Sequence, residues 1–276
     1  MSPGDRAEDV ARLRRAVAAI EGRREAAASR AAGRLPLIGA LDRALGGGLV
    51  ADGLHEIAPA SPADGGAAMG FALALAARFM AASRRAAIIV AEDFALAEWG
   101  AFYGPGLAAF GLDLARFVFV RAPDAPALFQ AMEDALKSGA PAAVIGEAWR
   151  LKTYDLAASR RLLLAARAGG APALLAVAGA YGAAEALSSA AETRFEIAAA
   201  PSAHLAPAGG GRGLPGAPAF AVRLVKARMG GGAGRGADPT RVFRLAWRSE
   251  ELSFDEPTLS LPLAAAAGDR PRAARA

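Results

Sequence analysis

The chain has 276 residues, 54% of them hydrophobic, and a formal charge of +5 from 32 Lys and Arg against 27 Asp and Glu. Zero cysteines exclude disulfides, thiolate nucleophiles and thiolate metal sites, and the two histidines, His55 and His204, lie too far apart in sequence to suggest a histidine metal centre. The apolar share is ample for a sizeable core although much of it is alanine, and the positive charge is almost all arginine, which suits phosphate contact and a GC-rich coding bias alike.

The N-terminal residues mix acids and bases from Asp5 to Arg15 with no apolar run, so they do not read as a secretory signal. Residues 6–32 predict a helix. Val10, Leu13, Val17 and Ile20 form one narrow apolar stripe on it, with Arg12, Arg14, Arg15, Arg23 and Arg24 on the other faces. A seam that narrow fits one partner helix or one groove, which makes these four residues the candidate partner-binding set. Docking on the chain's own core is the competing reading.

From Leu37 to about Ala200, short β-rich runs alternate with alanine-rich helical runs, the pattern of a parallel sheet covered by helices. The predicted strands are 54–57, 86–91, 117–120, 142–145, 173–178 and 193–197. The predicted helices are 67–82, 94–102, 125–138 and 156–168. No apolar helix reaches the length of about 20 residues that a membrane span needs, since Arg78, Arg84 and Arg85 bound the longest one. The expected location is the cytoplasm.

Between the first strand and its helix, Pro59 to Gly66 reads as a small-residue loop in the position of a phosphate-binding loop. In a working loop of the form G-x-x-x-x-G-K-[ST], backbone amides cradle the phosphates, the lysine reaches the terminal ones and the hydroxyl holds Mg²⁺. Here Ala67 and Ala68 follow Gly65 and Gly66, and the only lysines in the chain are Lys137, Lys152 and Lys226. The nearest downstream arginine, Arg78, sits about three helical turns away. The loop therefore predicts a site that is dead for ATP hydrolysis and holds no cofactor or metal.

After Pro201 a glycine-heavy linker leads to two predicted strands, 220–228 and 241–247, joined by a glycine-rich tip as a hairpin. Arg223, Lys226 and Arg228 on the first strand are candidate DNA-contact residues, with Lys226 and Arg228 two apart and so on one face. Basic residues guarding an exposed strand edge explain the same pattern. The expected division is 1–34 as N-terminal helix and linker, 35–262 as core with closing hairpin, and 263–276 as a disordered basic tail.

Leu41-Asp42-Arg43-Ala44-Leu45-Gly46-Gly47-Gly48-Leu49, followed by Gly53-Leu54-His55-Glu56-Ile57, resembles the entry to the phosphate loop of the RecA recombinases. Val222 to Arg228 followed by Arg241 to Trp247 resembles the strand pair that closes that core. The resemblance covers about residues 37–248 and implies an α/β fold: a RecA-like twisted parallel sheet with helices on both faces, a closing C-terminal β-hairpin and an added N-terminal helix. Under it, Glu92 matches the glutamate that activates water, and Gly146 or Glu147 stands where those proteins carry the aspartate that orients Mg²⁺. An acid at a helix N-terminus is the plainer account of both glutamates. Only the short segment from Ala148 to Tyr154 follows the fourth strand, and Tyr181 is a lone aromatic after the fifth, so little remains to thread single-stranded DNA.

A RecA-like core without the phosphate-loop lysine, the Mg²⁺ carboxylate or the DNA loops, with an added N-terminal helix and a basic tail, resembles the ImuA (inducible mutagenesis A) family of bacterial translesion-synthesis cassettes. The resemblance implies a catalytically inert accessory protein of the SOS response. Its implied partners are an ImuB-type polymerase homologue, an error-prone replicative-type polymerase subunit and RecA, with weak or indirect nucleic-acid contact. The vestigial nucleotide site would be Gly65, Gly66, Ala67, Ala68, Glu92 and Glu147. A divergent DNA-stimulated ATPase and a damage-induced cell-division inhibitor are the alternative readings.

Overall fold

The computed structural model describes residues 33–202, 216–228 and 240–257. The predicted N-terminal helix with its Val10, Leu13, Val17 and Ile20 stripe, the glycine-rich tip and the predicted tail lie outside the described residues.

A short lead-in comes first: β1 (Arg34–Leu35) pairs antiparallel with β2 (Leu49–Val50) around helix α1 (Gly39–Ala44). Neither the small sheet nor α1 stood out in the sequence. Arg34 fastens the unit by donating to the carbonyls of Leu45 and Gly48 at 3.1 and 2.9 Å. His55 joins it to the main sheet through Val50 O and Thr193 Oγ1, both at 2.8 Å from its ring nitrogens.

The main sheet is built from β3 (Leu54–Pro59), β4 (Ala87–Glu92), β5 (Phe117–Ala122), β6 (Ala143–Ala148), β7 (Ala173–Val177), β8 (Thr193–Ala199), β9 (Ala219–Ala227), β10 (Val242–Arg248) and β11 (Ser253–Asp255). Its nine strands lie in the order β11-β10-β9-β8-β3-β7-β6-β4-β5. The stretch from β8 to β5 is wholly parallel, and β9, β10 and β11 are added antiparallel at one end. The RecA-like α/β class and the closing hairpin are thus as expected. The third added strand, β11, was too short to show in the sequence.

Strand alternation sends side chains to two cores. On one face, α2 (Gly65–Ala81) packs with Ile57, Ile89, Ile145, Leu174 and Phe195. It is apolar all round and almost wholly buried, as a helix must be when sheet and chain cover both its sides. On the other face, α5 (Ala125–Lys137) and α6 (Leu156–Gly169) cover Leu54, Ala58, Val90, Val144 and Leu175. Asp124 and Asp155 cap these two helices by accepting from Ala127 N and Ala158 N at 2.9 and 2.8 Å, each contributing about 1 kcal/mol.

Two boundaries differ from the sequence reading. α2 begins at Gly65, two residues earlier than predicted, because a turn of 3₁₀ helix at Pro62–Asp64 already sets the direction of the chain. The single helix predicted at 94–102 is two short ones, α3 (Asp93–Trp99) and α4 (Gly104–Ala109), because Gly100 takes φ +84° and ends the first. Among the described residues, no helix is long and apolar enough to cross a membrane.

Candidate functional site

The corner that the sequence reading expects to be a vestigial nucleotide site lies where β3, β4 and β6 end and α2 begins. The connection from β3 is only Ala60 to Asp64. Ser61 Oγ donates to Asp64 Oδ2 at 2.6 Å, and the other carboxylate oxygen accepts from Ala199 N at 2.8 Å. Asp64 is thereby committed to pinning the loop on the end of β8, and α2 has no side-chain cap. Gly65, Gly66, Ala67 and Ala68 form the first turn of the helix rather than a cradle ahead of it.

Gly65 is a glycine for a packing reason. A Cβ there would lie 2.1 Å from Cζ2 of Trp99, so the indole is seated directly on the backbone at the start of α2. Trp99 meets Trp149 edge to face at 5.2 Å, Trp149 meets Phe94 at 5.7 Å, and the Arg150 guanidinium lies 4.5 Å above the Phe94 ring. This aromatic group fills the corner in which a phosphate would approach the helix N-terminus. Gly66 alone stays open, since a Cβ there would meet nothing within 4 Å.

The two glutamates of the corner behave differently, and only Glu92 stands at a helix N-terminus, as the plainer sequence account has it. Glu92 is buried and precedes α3, yet its side chain does not cap that helix. It accepts instead from the amides of Trp149 and Arg150, at 2.8 and 3.0 Å, across the sheet end. Glu147 lies inside β6 rather than at a helix N-terminus. Gly146 cannot stand in for a carboxylate position: a Cβ there would lie 2.2 Å from the Met132 sulfur on the α5 face. Glu147 alternates with it onto the α2 face, is 3% exposed and has no hydrogen-bond partner among the described residues. Burial raises its pKa to about 7. A half-neutral carboxyl is a poor Mg²⁺ ligand, and among the described residues no group of three or more metal-ligating side chains is assembled.

The three candidate DNA-contact residues meet on the α6 side of the hairpin, and each contacts the chain itself. Arg223 grips Glu196 with two nitrogens at 2.9 and 2.8 Å and reaches Glu185 with a third at 2.7 Å. Both carboxylates push its pKa up. Lys226 donates to Ser189 O at 2.7 Å and is pulled below its ordinary pKa by burial, while Arg228 donates to Ala190 O at 3.2 Å. Together they staple down the segment from Ala178 to Ala191, beside an open cleft of about 510 Å³ lined by Glu185, Ser188, Arg194 and Lys226. Tyr181 stands exposed in this segment.

Beneath the staple lies a network that the sequence reading missed. Glu56 of β3, fully buried, accepts from Arg194 Nε of β8 and from the Tyr154 hydroxyl. Arg194 completes its bonding at Ala184 O (2.7 Å) and Ser189 Oγ (2.8 Å). Burial and the Glu56 carboxylate hold the Tyr154 phenol well above its ordinary range. The available signal was a Glu and an Arg in two runs otherwise read as core strands. The aromatic group at Gly65 gave no comparable signal, since Phe94, Trp99 and Trp149 sit on separate connections. No family model matches the sequence, and no curated protein matches it at a significant level.

Proposed function

We propose that this chain is a catalytically inert RecA-like accessory protein of the bacterial DNA-damage response, of the ImuA kind, acting in the cytoplasm. It would support error-prone translesion synthesis by binding an ImuB-type polymerase homologue and an error-prone replicative-type polymerase subunit, with RecA as a further partner. The observation that supports the inert half is Trp99 seated on Gly65: the indole takes space at the helix N-terminus, and the loop has no lysine to reach a terminal phosphate. Glu92 supports the same reading, because a base that already accepts two backbone amides is not poised toward a water. The partner half rests on the resemblance to the ImuA family: a RecA-like core lacking the loop lysine, the Mg²⁺ carboxylate and the DNA loops, with an added N-terminal helix and basic tail.

Two measurements test the halves separately. Calorimetric titration with ATP and Mg²⁺ should give no heat of binding; micromolar affinity with turnover abolished by Glu92→Gln would refute inertness. Co-purification with the polymerase homologue should be lost in Leu13→Asp/Val17→Asp, which places charge on the apolar stripe. Retention by that variant with its fold intact would refute docking through the stripe.

A further inference from the structure

β5 borders the nine-stranded sheet. Its inner side pairs with β4 without a register shift from Ala87↔Phe117 to Glu92↔Ala122, and no described strand pairs its outer side. Natural sheets guard such edges with lysine, proline, a bulge or brevity. β11, on the opposite border, is only three residues long. β5 has six, with no proline or lysine, and opens with the uncharged run Phe117-Val118-Phe119-Val120. Val118 is 50% exposed and Phe119 47%, although they point to opposite faces. Tyr103 and Leu114, in the chain leading into this strand, are exposed too, and Phe102 lies 5.6 Å from Phe119.

We propose that β5 pairs antiparallel with β5 of a second copy of this chain, continuing the sheet across a two-fold axis. Charge at the two ends of the strand selects this occupant and this direction. The start carries Arg84, Arg85 and Arg116 against a single acid, Asp113. Arg116 holds the group together by donating to the carbonyls of Met80, Ser83 and Arg85 at 3.0, 2.8 and 2.7 Å. The end carries Asp93 and Asp124 against Arg121, which is bound to Asp93 at 2.9 Å. Antiparallel self-pairing sets the basic start of each strand on the acidic end of the other, twice, and lays one apolar run along its own copy. Parallel pairing would set like charges together. The isologous contact closes at two copies, so it satisfies both edges without building a fibre.

The full chain should sediment as a dimer over roughly 1–100 μM, and added salt should weaken it because the end charges are solvent-facing. Phe119→Lys should raise the dissociation constant at least about tenfold, with far-UV circular dichroism unchanged because the side chain is half exposed. The chain has no cysteine, so single thiols report apposition directly. Phe119→Cys should give a disulfide-linked dimer under mild oxidation, whereas Val242→Cys, exposed near the opposite border, should not. A monomer at every concentration would overturn the proposal, as the edge would then be covered by another segment or another protein. Cross-linking through Val242→Cys but not Phe119→Cys, or an open ladder of higher oligomers, would overturn it equally.

Discussion

The nucleotide corner and the hairpin staple both bury carboxylates, but they neutralise them by opposite means. Around Gly65, among the described residues, no cation pairs with either glutamate: Glu92 is satisfied by two backbone amides and Glu147 has no partner, while aromatic rings occupy the space. Around Glu56 each carboxylate has a cation, Arg194 on Glu56 beneath and Arg223 on Glu185 and Glu196 above, and Tyr154 also donates to Glu56. Glu147, buried without a charge partner among the described residues, has its pKa raised, whereas the Glu56–Arg194 pair binds distant segments together. The second corner therefore carries fold stability, and the first carries a cost to it.

The largest break in that contrast is Arg194→Met, which leaves Glu56 buried without its cation. Unfolding in urea should show a loss of about 3–5 kcal/mol. Loss below about 1 kcal/mol would mean that water or Tyr154 alone suffices for Glu56.

Glu147→Gln should have the opposite sign. Its folded-state pKa is raised from 4.5 to about 7, so the native protein binds the extra proton between those values, and wild-type stability falls as pH rises through this window. The variant should be more stable than wild type at pH 8, by up to about 3 kcal/mol, and equal to it near pH 4. His55 works against this trend. Burial lowers its pKa from 6.5 to about 4, so its share of stability is present above 6.5 and is lost as pH falls toward 4. In wild type the two slopes largely cancel between about 4.5 and 6.5. Glu147→Gln should expose the rising His55 slope, read as unfolding free energy against pH.

Next in size is a double-mutant cycle between Gly65 and Trp99. Gly65→Ala should cost about 1–3 kcal/mol in wild type, because the new methyl collides with the indole. In a Trp99→Ala background it should be neutral or favourable by about 0.5–1 kcal/mol, as Ala is the better helix former. Additivity of the two changes would disprove the direct contact. The smallest effect belongs to Glu185→Gln. Its carboxylate is 70% exposed and Arg223 keeps Glu196, so stability should change by less than about 1 kcal/mol.

Much of the sheet was legible because the inner parallel strands, buried on both faces, are short apolar runs between helices, as in Ile88-Ile89-Val90 and Val144-Ile145. β3 was read two residues short because Ala58 and Pro59 look like loop, yet Pro59 sits at the strand end beside Ile197 in the β8 register. The loop Pro59 to Gly66 was read as phosphate-binding in position but not in chemistry, and Ala67 and Ala68 sufficed for that. The sequence placed Arg223, Lys226 and Arg228 together on the hairpin. It could not show their partners: Glu196 in β8 for Arg223, and Glu185, Ser189 and Ala190, 37 or 38 residues earlier, in a segment with no periodicity.

By itself the sequence determined the layered α/β arrangement and the absence of a phosphate-loop lysine, since apolar periodicity and residue identity are local properties of the chain. Tertiary structure alone decided what fills the corner without that lysine. Trp99, Trp149 and Gly65 are far apart along the chain and meet only because β4 and β6 end, and α2 begins, at one edge of the sheet. It also decided what each buried carboxylate meets. Glu56, Glu92 and Glu147 are the same residue type in similar apolar strands, and only the neighbours brought by folding distinguish an ion pair, an amide acceptor and a buried acid near neutrality.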